Sequence, residues 1–282
     1  MQCQPEQAKV SCHGRHAVMT LISRLPQSFK KQLRLAGCRN VALWRRYPAA
    51  RNRRPLSSDQ AASEQKGAHT WQTTSTPIPN RGDATTCANR LHNLATAIRS
   101  INHRMIQPGE AFSLSQHLGE PTQKNGYRVA PVFVAGEVRS DAGGDLCLIA
   151  TNLYQLFLYS GCTILKRHNH SIDAYRAERF YKLGEDAAIA FSYKDLAIQN
   201  PFNRPLLLCI CLRANDIQSR LFCSDPKPIQ TIIRSQVLER HAPMGQQVVN
   251  AGWSMSTARF SRPISSGSWL QDYLSFSHYK PC

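Results

Sequence analysis

A fourteen-residue stretch near the middle of the chain, CLIATNLYQLFLYS, is apolar around nearly the whole circumference that a helix would present. It covers residues 147–160 and is followed by Gly161, a residue that often ends helices because it tolerates the left-handed backbone conformation. A helix without a polar face must be buried on most of its sides. Other elements of the chain must therefore pack around this helix and bury its apolar surface.

The segments that follow this helix change to short runs of strand-forming residues separated by Gly, Asn, Asp and Pro. We predict strands over residues 163–170, 186–193, 205–213, 217–223 and 229–238. Upstream, apolar residues at helical spacing predict a helix over residues 88–105, and residues 127–138 are typical of a strand. The predicted fold class is α+β, with helices packed against a largely antiparallel sheet and a basic, partly disordered N-terminal extension.

The composition divides the chain into four parts. Residues 1–50 form a basic N-terminal segment, and residues 51–84, which are rich in Ser, Thr, Gln, Pro and Arg, are typical of a linker. The folded domain is predicted to span residues 85–240. Beyond it the pattern fades into Gly, Ser and isolated aromatic residues, so residues 241–282 are predicted to form an irregular C-terminal tail.

The positive charge of the chain is concentrated near its beginning. The formal net charge is +17, and residues 1–60 contain twelve Lys and Arg residues against two Asp and Glu residues. A segment of this kind favours anionic partners, so we expect it to meet a cell-wall precursor or an anionic membrane surface, with a solvated extension as the alternative. No nucleic acid is expected, because no zinc-finger spacing, RNP-like strand or helix-turn-helix accompanies the basic residues.

The cysteines and the apolar runs bear on the compartment. None of the ten cysteines belongs to a CxxC pair, and Cys162, Cys209 and Cys211 lie in apolar runs, where a free thiol behaves as a small hydrophobic group. Mostly reduced cysteines indicate a reducing compartment. The longest early apolar run, residues 17–22, is far shorter than the roughly 20 residues that a membrane span requires. We therefore expect a cytoplasmic protein, with peripheral attachment at the inner face of the membrane as an open alternative.

Cys147 combines a reactive side chain with a position that favours its charged form. It stands in the first turn of the predicted buried helix, behind Gly143 and Gly144, and the N-terminus of a helix stabilises a thiolate. His170 and Asp186 follow it in chain order. In papain-like and transglutaminase-like thiol enzymes a cysteine attacks the substrate, a histidine takes the thiol proton and a carboxylate orients the imidazole ring.

The candidate catalytic residues are therefore Cys147 as the nucleophile, His170 as the base and Asp186 as the orienting group, acting on an amide or peptide. His168 is the alternate base, and Asp195 is the alternate orienting residue. The competing interpretation is structural: a cysteine that opens a buried helix can simply fill space, and aspartates beside strands usually stabilise turns.

A metal site is a further alternative. Cys147, His168 and His170 offer one sulfur and two imidazoles, which suit zinc or iron. Their spacing matches no established motif, however, and we predict neither a metal nor another cofactor.

Three residues are candidates for ligand binding. Gly143 and Gly144 would shape a loop around a ligand, and Glu110 would enter the same cleft if the short strand after Pro108 turned its side chain that way. The alternative for Glu110 is a cap or a salt bridge near the basic segment.

Four sequence blocks stand in a recognisable order. They are NLATAI with IQPGEAFS, GYRVA, GGDLC with NLY, and RHNHS with the later DA and YKDL steps, within residues 93–196. Their order resembles that of the VanW family, and the match covers roughly residues 88–240. The resemblance implies a role in glycopeptide-antibiotic resistance or cell-envelope metabolism. It leaves open whether the chain is a non-catalytic accessory or binding protein, or a thiol-dependent peptidase or acyltransferase acting on cell-wall amide bonds.

The chain also departs from the family pattern around the candidate nucleophile. Asp145 stands where the family has a third loop glycine, Leu148 where it has a glutamine, and Ala150 where it has a serine. Two polar groups beside the thiol have thus become apolar, which favours an accessory role or altered chemistry.

Overall fold

The computed structural model describes residues 54–134, 137–243, 250–265 and 267–282. The basic segment 1–50 lies outside the described residues, so its predicted partial disorder and anionic partners stay predictions. Within the described ranges, helices pack against sheets whose strand pairs are antiparallel, and this confirms the α+β fold class.

The helices of the described ranges are α1 (Ser58–Gln65), α2 (Ala84–Ile101), α3 (Leu114–Leu118) and α4 (Cys147–Ser160), with short 3-10 helices at Gln123–Asn125 and Arg176–Glu178. Helix α2 begins four residues before the predicted start, because the carboxylate of Asp83 accepts a hydrogen bond from the backbone N–H of Thr86 and so caps the first turn.

The strands of the described ranges form three sheets and a hairpin. In the first sheet the order is β1 (His69–Pro77), β9 (Asp216–Cys223), β8 (Leu206–Leu212) and β2 (Arg104–Ile106). In the second sheet it is β3 (Ala111–Ser113), β7 (Ala197–Gln199) and β6 (Thr163–Lys166). The hairpin joins β4 (Val129–Val134) to β5 (Glu137–Ala142). The third sheet contains β10 (Ile229–His241), β11 (Gly252–Pro263) and β12 (Leu270–Tyr279) in chain order.

Helix α4 is the buried centre that its composition predicts. Eleven of its fourteen residues are buried, and it packs on β1 and β9 while also contacting β6 and β10. Its one buried amide, Asn152, donates hydrogen bonds to the Thr76 hydroxyl (3.0 Å) and to the Ile217 carbonyl (3.1 Å). The helix ends at Gly161, whose φ of +89° is the left-handed conformation expected of a glycine cap.

The predicted linker over residues 51–84 is wrong, because this segment contains α1 and β1. Strand β1 pairs with β9 along its length. The Trp71 indole N–H donates to the Asp225 carbonyl at 2.7 Å, and its ring meets Phe202 edge-on at 4.7 Å. The sequence signal was weak because the buried positions of β1 other than Trp71 are the threonines Thr74 and Thr76.

The predicted irregular tail over residues 241–282 is also wrong, because β11 and β12 complete a sheet with β10. The inward face of this sheet is polar, with Arg259 and Ser277 both buried. The Arg259 guanidinium donates to the carbonyls of Leu158 (3.1 Å) and Cys162 (2.8 Å) at the end of α4. A buried face that satisfies backbone carbonyls lacks the apolar alternation that marks a strand.

The remaining strand predictions had mixed outcomes. Those over 205–213, 217–223 and 229–238 are confirmed as β8, β9 and β10. The segment 127–138 contains a hairpin in place of one strand, and β6 ends at Lys166, four residues early. Residues 186–193 form a loop rather than a strand, and β7 takes the place beside β6. The residues that follow Lys166 and residues 186–193 are therefore not paired in a sheet, and their side chains can point toward α4.

No helix within the described ranges is both long and apolar enough to cross a membrane. The cysteines of these ranges carry free thiols: Cys87, Cys147, Cys162, Cys209, Cys211, Cys223 and Cys282.

Candidate active site

The loop before α4 brings the chain into a turn that requires glycine at two positions. Gly143 has a φ of +78°, and a Cβ atom added there would lie 2.4 Å from the Pro121 Cβ. A Cβ on Gly144 would lie 2.6 Å from the backbone oxygen of Pro131. Neither position accepts a side chain, so the two glycines set the path of the loop and thereby the place where α4 begins.

Asp145 stands where the VanW family has a third loop glycine. Its backbone conformation is one that favours glycine, which explains the family pattern. Its φ of +69° is left-handed, a conformation that aspartate tolerates better than most residues. Its carboxylate forms a buried ion pair with the Arg90 guanidinium of α2 at 3.0 Å. Burial raises the pKa of Asp145, and the nearby Arg90 charge opposes that rise. Aspartate in place of glycine therefore keeps the loop conformation and adds an ion pair with α2.

Cys147 is the first residue of α4 and lines a cleft at the N-terminus of that helix. Its thiol donates to the backbone oxygen of Ile189 at 3.7 Å, and the imidazole of His170 lines the same cleft. Burial raises the pKa of the thiol, but the hydrogen bond and the charge of His170 outweigh burial, so the pKa of Cys147 is lowered. The site therefore favours the thiolate.

His170 is held on three sides. Its Nδ1 lies 2.6 Å from an Asp186 carboxylate oxygen, and its backbone N–H donates to the same oxygen at 2.7 Å. The ring stacks on Tyr181 at 5.5 Å with an interplanar angle of 8°, and it meets Phe180 edge-on. Because Nδ1 is engaged by Asp186, Nε2 is the ring atom left to face the Cys147 thiol. Burial lowers the pKa of His170, yet the partners Asp186 and Cys147 raise it above its usual value, so the site favours an imidazolium–thiolate pair.

Asp186 is a fully buried carboxylate with four hydrogen-bond donors. Besides the two from His170, the Arg167 guanidinium donates at 2.8 Å and the Tyr279 hydroxyl donates to the oxygen that Arg167 contacts. Burial raises the pKa of Asp186, but His170 and Arg167 outweigh it and hold the pKa at about 2. Asp186 therefore stays ionised and can orient the His170 ring without taking its proton.

The lowered pKa of Asp186 predicts a specific loss of stability in acid. A carboxyl group whose pKa is lower in the folded than in the unfolded state stabilises the fold above its unfolded pKa of about 4, and this contribution is lost as the pH falls toward the folded value. Between pH 5 and pH 2, the free energy of unfolding should fall by about 2 kcal/mol more in the unmodified chain than in an Asp186→Asn variant. Urea unfolding at each pH measures this, and equal slopes for the two proteins would contradict it.

Two residues that support the site were not predicted for it. Arg167 lies in the RHNHS block but carried no assigned role, and Tyr279 lies in the segment predicted as an irregular tail. Arg167 also donates to the Asp186 and Gly184 carbonyls and to the Ser277 hydroxyl. Strand β12 therefore contributes hydrogen bonds to Asp186 and Arg167. This role could have been predicted only from the pairing of β12 with β11.

The alternate residues lie elsewhere. The backbone oxygen of His168 accepts from Ala188 at 2.7 Å, and its ring does not line the cleft. Asp195 accepts from the Ser113 hydroxyl (2.6 Å) and the Ser115 backbone N–H (2.9 Å), so it caps α3. The structure thus separates both alternates from Cys147.

Glu110 also lies away from the cleft. It is buried, its carboxylate accepts from the Gln107 backbone N–H at 2.7 Å, and it stabilises the turn before β3. This is the capping role that the sequence left as the alternative, so the prediction that Glu110 enters the cleft is wrong.

A metal centre at Cys147, His168 and His170 is not formed. Across the described ranges, no group of three or more His, Cys, Asp or Glu residues is arranged to hold a metal ion. The side chain of His170 instead binds the Asp186 carboxylate and lines the same cleft as the thiol, which is an arrangement suited to proton transfer.

Leu148 and Ala150 are both fully buried within α4, and Leu148 also contributes to the cleft wall. Their apolar side chains therefore pack in the core, and Cys147 and His170 line the same cleft beside them.

Comparison with known proteins covers the part of the chain that holds these residues. Residues 89–222 match a family model described as VanW like protein. The chain is 30% identical over 120 residues to the Uncharacterized protein YoaR of Bacillus subtilis (strain 168), which covers 43% of this chain and 38% of that protein. It is 25% identical over 141 residues to the Vancomycin B-type resistance protein VanW of Enterococcus faecalis (strain ATCC 700802 / V583), which covers 50% of this chain and 51% of that protein.

The chain thus spans about two fifths and about half of the length of these two relatives. No solved structure is significantly similar to it. The matched segment includes Cys147, His170 and Asp186 but not Tyr279. Residues 89–222 are therefore similar to the VanW family.

Proposed function

We propose that this chain is a thiol-dependent acyl-transfer enzyme, a peptidase or acyltransferase, that acts on amide bonds of a cell-wall precursor. The observation that carries the proposal is that the Cys147 thiol and the His170 imidazole line one cleft, with the buried Asp186 carboxylate 2.6 Å from the His170 Nδ1. The three groups come from separate segments of the chain, and they meet at the edge of a cleft. A cysteine that only filled space would need neither an oriented imidazole nor a buried ionised carboxylate behind it.

The geometry supports a two-step reaction. The Cys147 thiolate attacks the substrate carbonyl carbon, a C–S bond forms, and the carbonyl π electrons move to the oxygen. The N-terminus of α4 offers N–H groups and a positive dipole end for that oxyanion. As the C–O double bond re-forms, the C–N bond breaks, and the His170 imidazolium gives its Nε2 proton to the departing amine.

The second step regenerates the enzyme. Water, or another amine or hydroxyl compound as acceptor, attacks the thioester carbon while His170 accepts the proton of the nucleophile. The C–S bond then breaks and the sulfur leaves as the thiolate, with His170 again protonated. Asp186 keeps the ring oriented and stabilises the imidazolium throughout.

The substrate class is drawn from the resemblance, and the location from the cysteines and short apolar runs of the sequence, so neither is drawn from the site. A relative named as a vancomycin resistance protein motivates an envelope substrate. A precursor at the inner face of the membrane also agrees with the proposed cytoplasmic location and with the proposed attachment of basic segment 1–50 to an anionic membrane surface.

A second candidate function is a non-catalytic accessory or binding protein. It is favoured by Leu148 and Ala150, which replace the polar residues expected beside the thiol. In that case the cleft would bind a ligand and Cys147 would not react.

Replacing Cys147 by alanine separates the two functions. If the chain is an enzyme, release of amine from peptidoglycan-precursor peptides, measured by mass spectrometry, should fall by at least about 10³-fold, because the nucleophile is removed. Cys211→Ala, at an exposed thiol on β8, is the matched control and should keep full turnover. A Cys147→Ala chain that folds, as judged by circular dichroism, and that retains full effect in a vancomycin-susceptibility assay would establish the accessory role instead.

A further inference from the structure

We propose that Lys194 binds a free carboxylate of the substrate beside Cys147. The substrate class would then be acyl compounds whose reacting carbonyl lies a few bonds from a carboxylate, such as a peptide cleaved before its C-terminal residue. This inference rests on the proposed function, since it names the substrate group that the same cleft selects.

The charges of the cleft wall are balanced except at one position. The carboxylate of Asp145 lines the cleft, but the buried ion pair with Arg90 at 3.0 Å neutralises it. The charge of Asp186 lies behind His170 and is met by Arg167 and by the imidazolium. Neither carboxylate is therefore left to attract a cation.

Lys194 is the charged side chain of the cleft wall that has no counterion among the described residues. Its half-buried side chain lines the cleft, and within the described ranges its ammonium group makes neither a hydrogen bond nor an ion pair. Lys194 and Cys147 line the same cleft, and the charge of Lys194 helps to lower the pKa of the thiol. A partly desolvated cation without a partner is costly in a fold unless a ligand provides the opposite charge.

Hydrogen bonds hold the backbone around Lys194 in place, so the position of its side chain is restricted. Its N–H donates to the Ala190 carbonyl at 2.9 Å, and its own carbonyl accepts from the Ala190 N–H at 3.1 Å. The next residue, Asp195, is anchored by the Ser113 hydroxyl and by the Ser115 N–H. The prediction that Asp195 orients a catalytic histidine is thus replaced by a role in holding the segment that carries Lys194.

A carboxylate in this position gains from two sources. The ammonium of Lys194 supplies a full positive charge, and the N-terminus of α4, where Cys147 stands, supplies the positive end of the helix dipole. Since both line the same cleft, a carboxylate bound there brings a carbonyl a few bonds away to the sulfur. A neutral amide at the same place would receive only the weaker dipole.

Two alkylating reagents of nearly equal size test this inference on the full chain. Iodoacetate carries a carboxylate and iodoacetamide a neutral amide, so the ratio of their rates at Cys147 cancels changes in thiol reactivity. Lys194→Met should lower the iodoacetate-to-iodoacetamide ratio by at least about fivefold, because the charge that attracts the carboxylate is removed. Lys194→Arg should keep the ratio within about twofold of the original value, because the positive charge remains.

Lys182→Met is the matched control, since Lys182 is exposed, lies outside the cleft lining and carries the same charge. The ratio should not change in this variant. If Lys194→Met slows both reagents equally, Lys194 only tunes the thiol and the inference is overturned. If Lys182→Met lowers the ratio as much as Lys194→Met, the effect belongs to net charge and the inference is also overturned.

A protection experiment measures binding directly. N-acetylglycine should slow iodoacetamide labelling of Cys147, whereas N-acetylglycinamide should not, and Lys194→Met should abolish the protection. Equal protection by the two compounds would overturn the inference. Both experiments differ in outcome from a failure of the proposed function, because turnover can be absent while carboxylate selectivity persists, and turnover can persist while the selectivity is absent.

Discussion

Replacing His170 by alanine should lower the rate at which iodoacetamide labels Cys147 at pH 6 by about 30-fold. An ordinary thiol with a pKa of about 8.5 is only about 0.3% thiolate at pH 6, so an ion-paired thiolate is populated about 300-fold more. The lower nucleophilicity of a low-pKa thiolate offsets about tenfold of this gain. The net gain in labelling rate is therefore about 30-fold. It should be lost in the variant, because the imidazole that lowers the pKa of Cys147 is removed.

Mass spectrometry of the digested protein after timed quenching gives the rate at each cysteine. In the unmodified chain Cys147 should react faster than Cys211, although Cys211 is the more exposed of the two. His168→Ala removes a neighbouring imidazole that does not line the cleft, and it should leave the Cys147 rate within about twofold. A folded His170→Ala chain that is labelled as fast as the unmodified chain would contradict the ion pair.

Replacing Asp186 by alanine should lower the free energy of unfolding by about 3–5 kcal/mol, because it leaves a buried guanidinium without its counterion. Arg167 and Asp186 are both buried and lie 2.8 Å apart, and the same carboxylate accepts from the Tyr279 hydroxyl. Removing it also breaks the hydrogen bond from Tyr279 on β12, while the Asn169 amide still donates to the His278 carbonyl. Denaturant unfolding followed by tryptophan fluorescence measures the change.

An exposed ion pair provides the control. Arg204 and Asp225 lie 2.7 Å apart with about half of each side chain exposed, so Asp225→Ala should cost no more than about 1 kcal/mol. The double change Arg167→Met with Asp186→Leu should recover part of the loss, because both buried charges are then removed together. Equal losses for Asp186→Ala and Asp225→Ala would show that the buried carboxylate does not hold the site together.

The choice between the two histidines illustrates what a strand pattern can and cannot predict. On a strand reaching residue 170, His168 and His170 would share a face. Strand β6 instead ends at Lys166, and the following residues leave the sheet. The backbone N–H of His170 then donates to Asp186, which turns its ring toward Cys147, while His168 remains outside the cleft.

The sequence by itself determined the helix that begins at Cys147, the loop that places it there, and the family. Each rests on local information: an apolar circumference, glycines at positions that admit no Cβ atom, and ordered motifs. Only the tertiary structure decided that His170 lines the cleft of the thiol with Asp186 behind it, that Tyr279 and Arg167 hold the carboxylate, and that Lys194 has no counterion among the described residues. These are contacts between polar groups of distant segments. Hydrogen bonds of this kind produce no periodic pattern in the sequence, so they cannot be predicted from it.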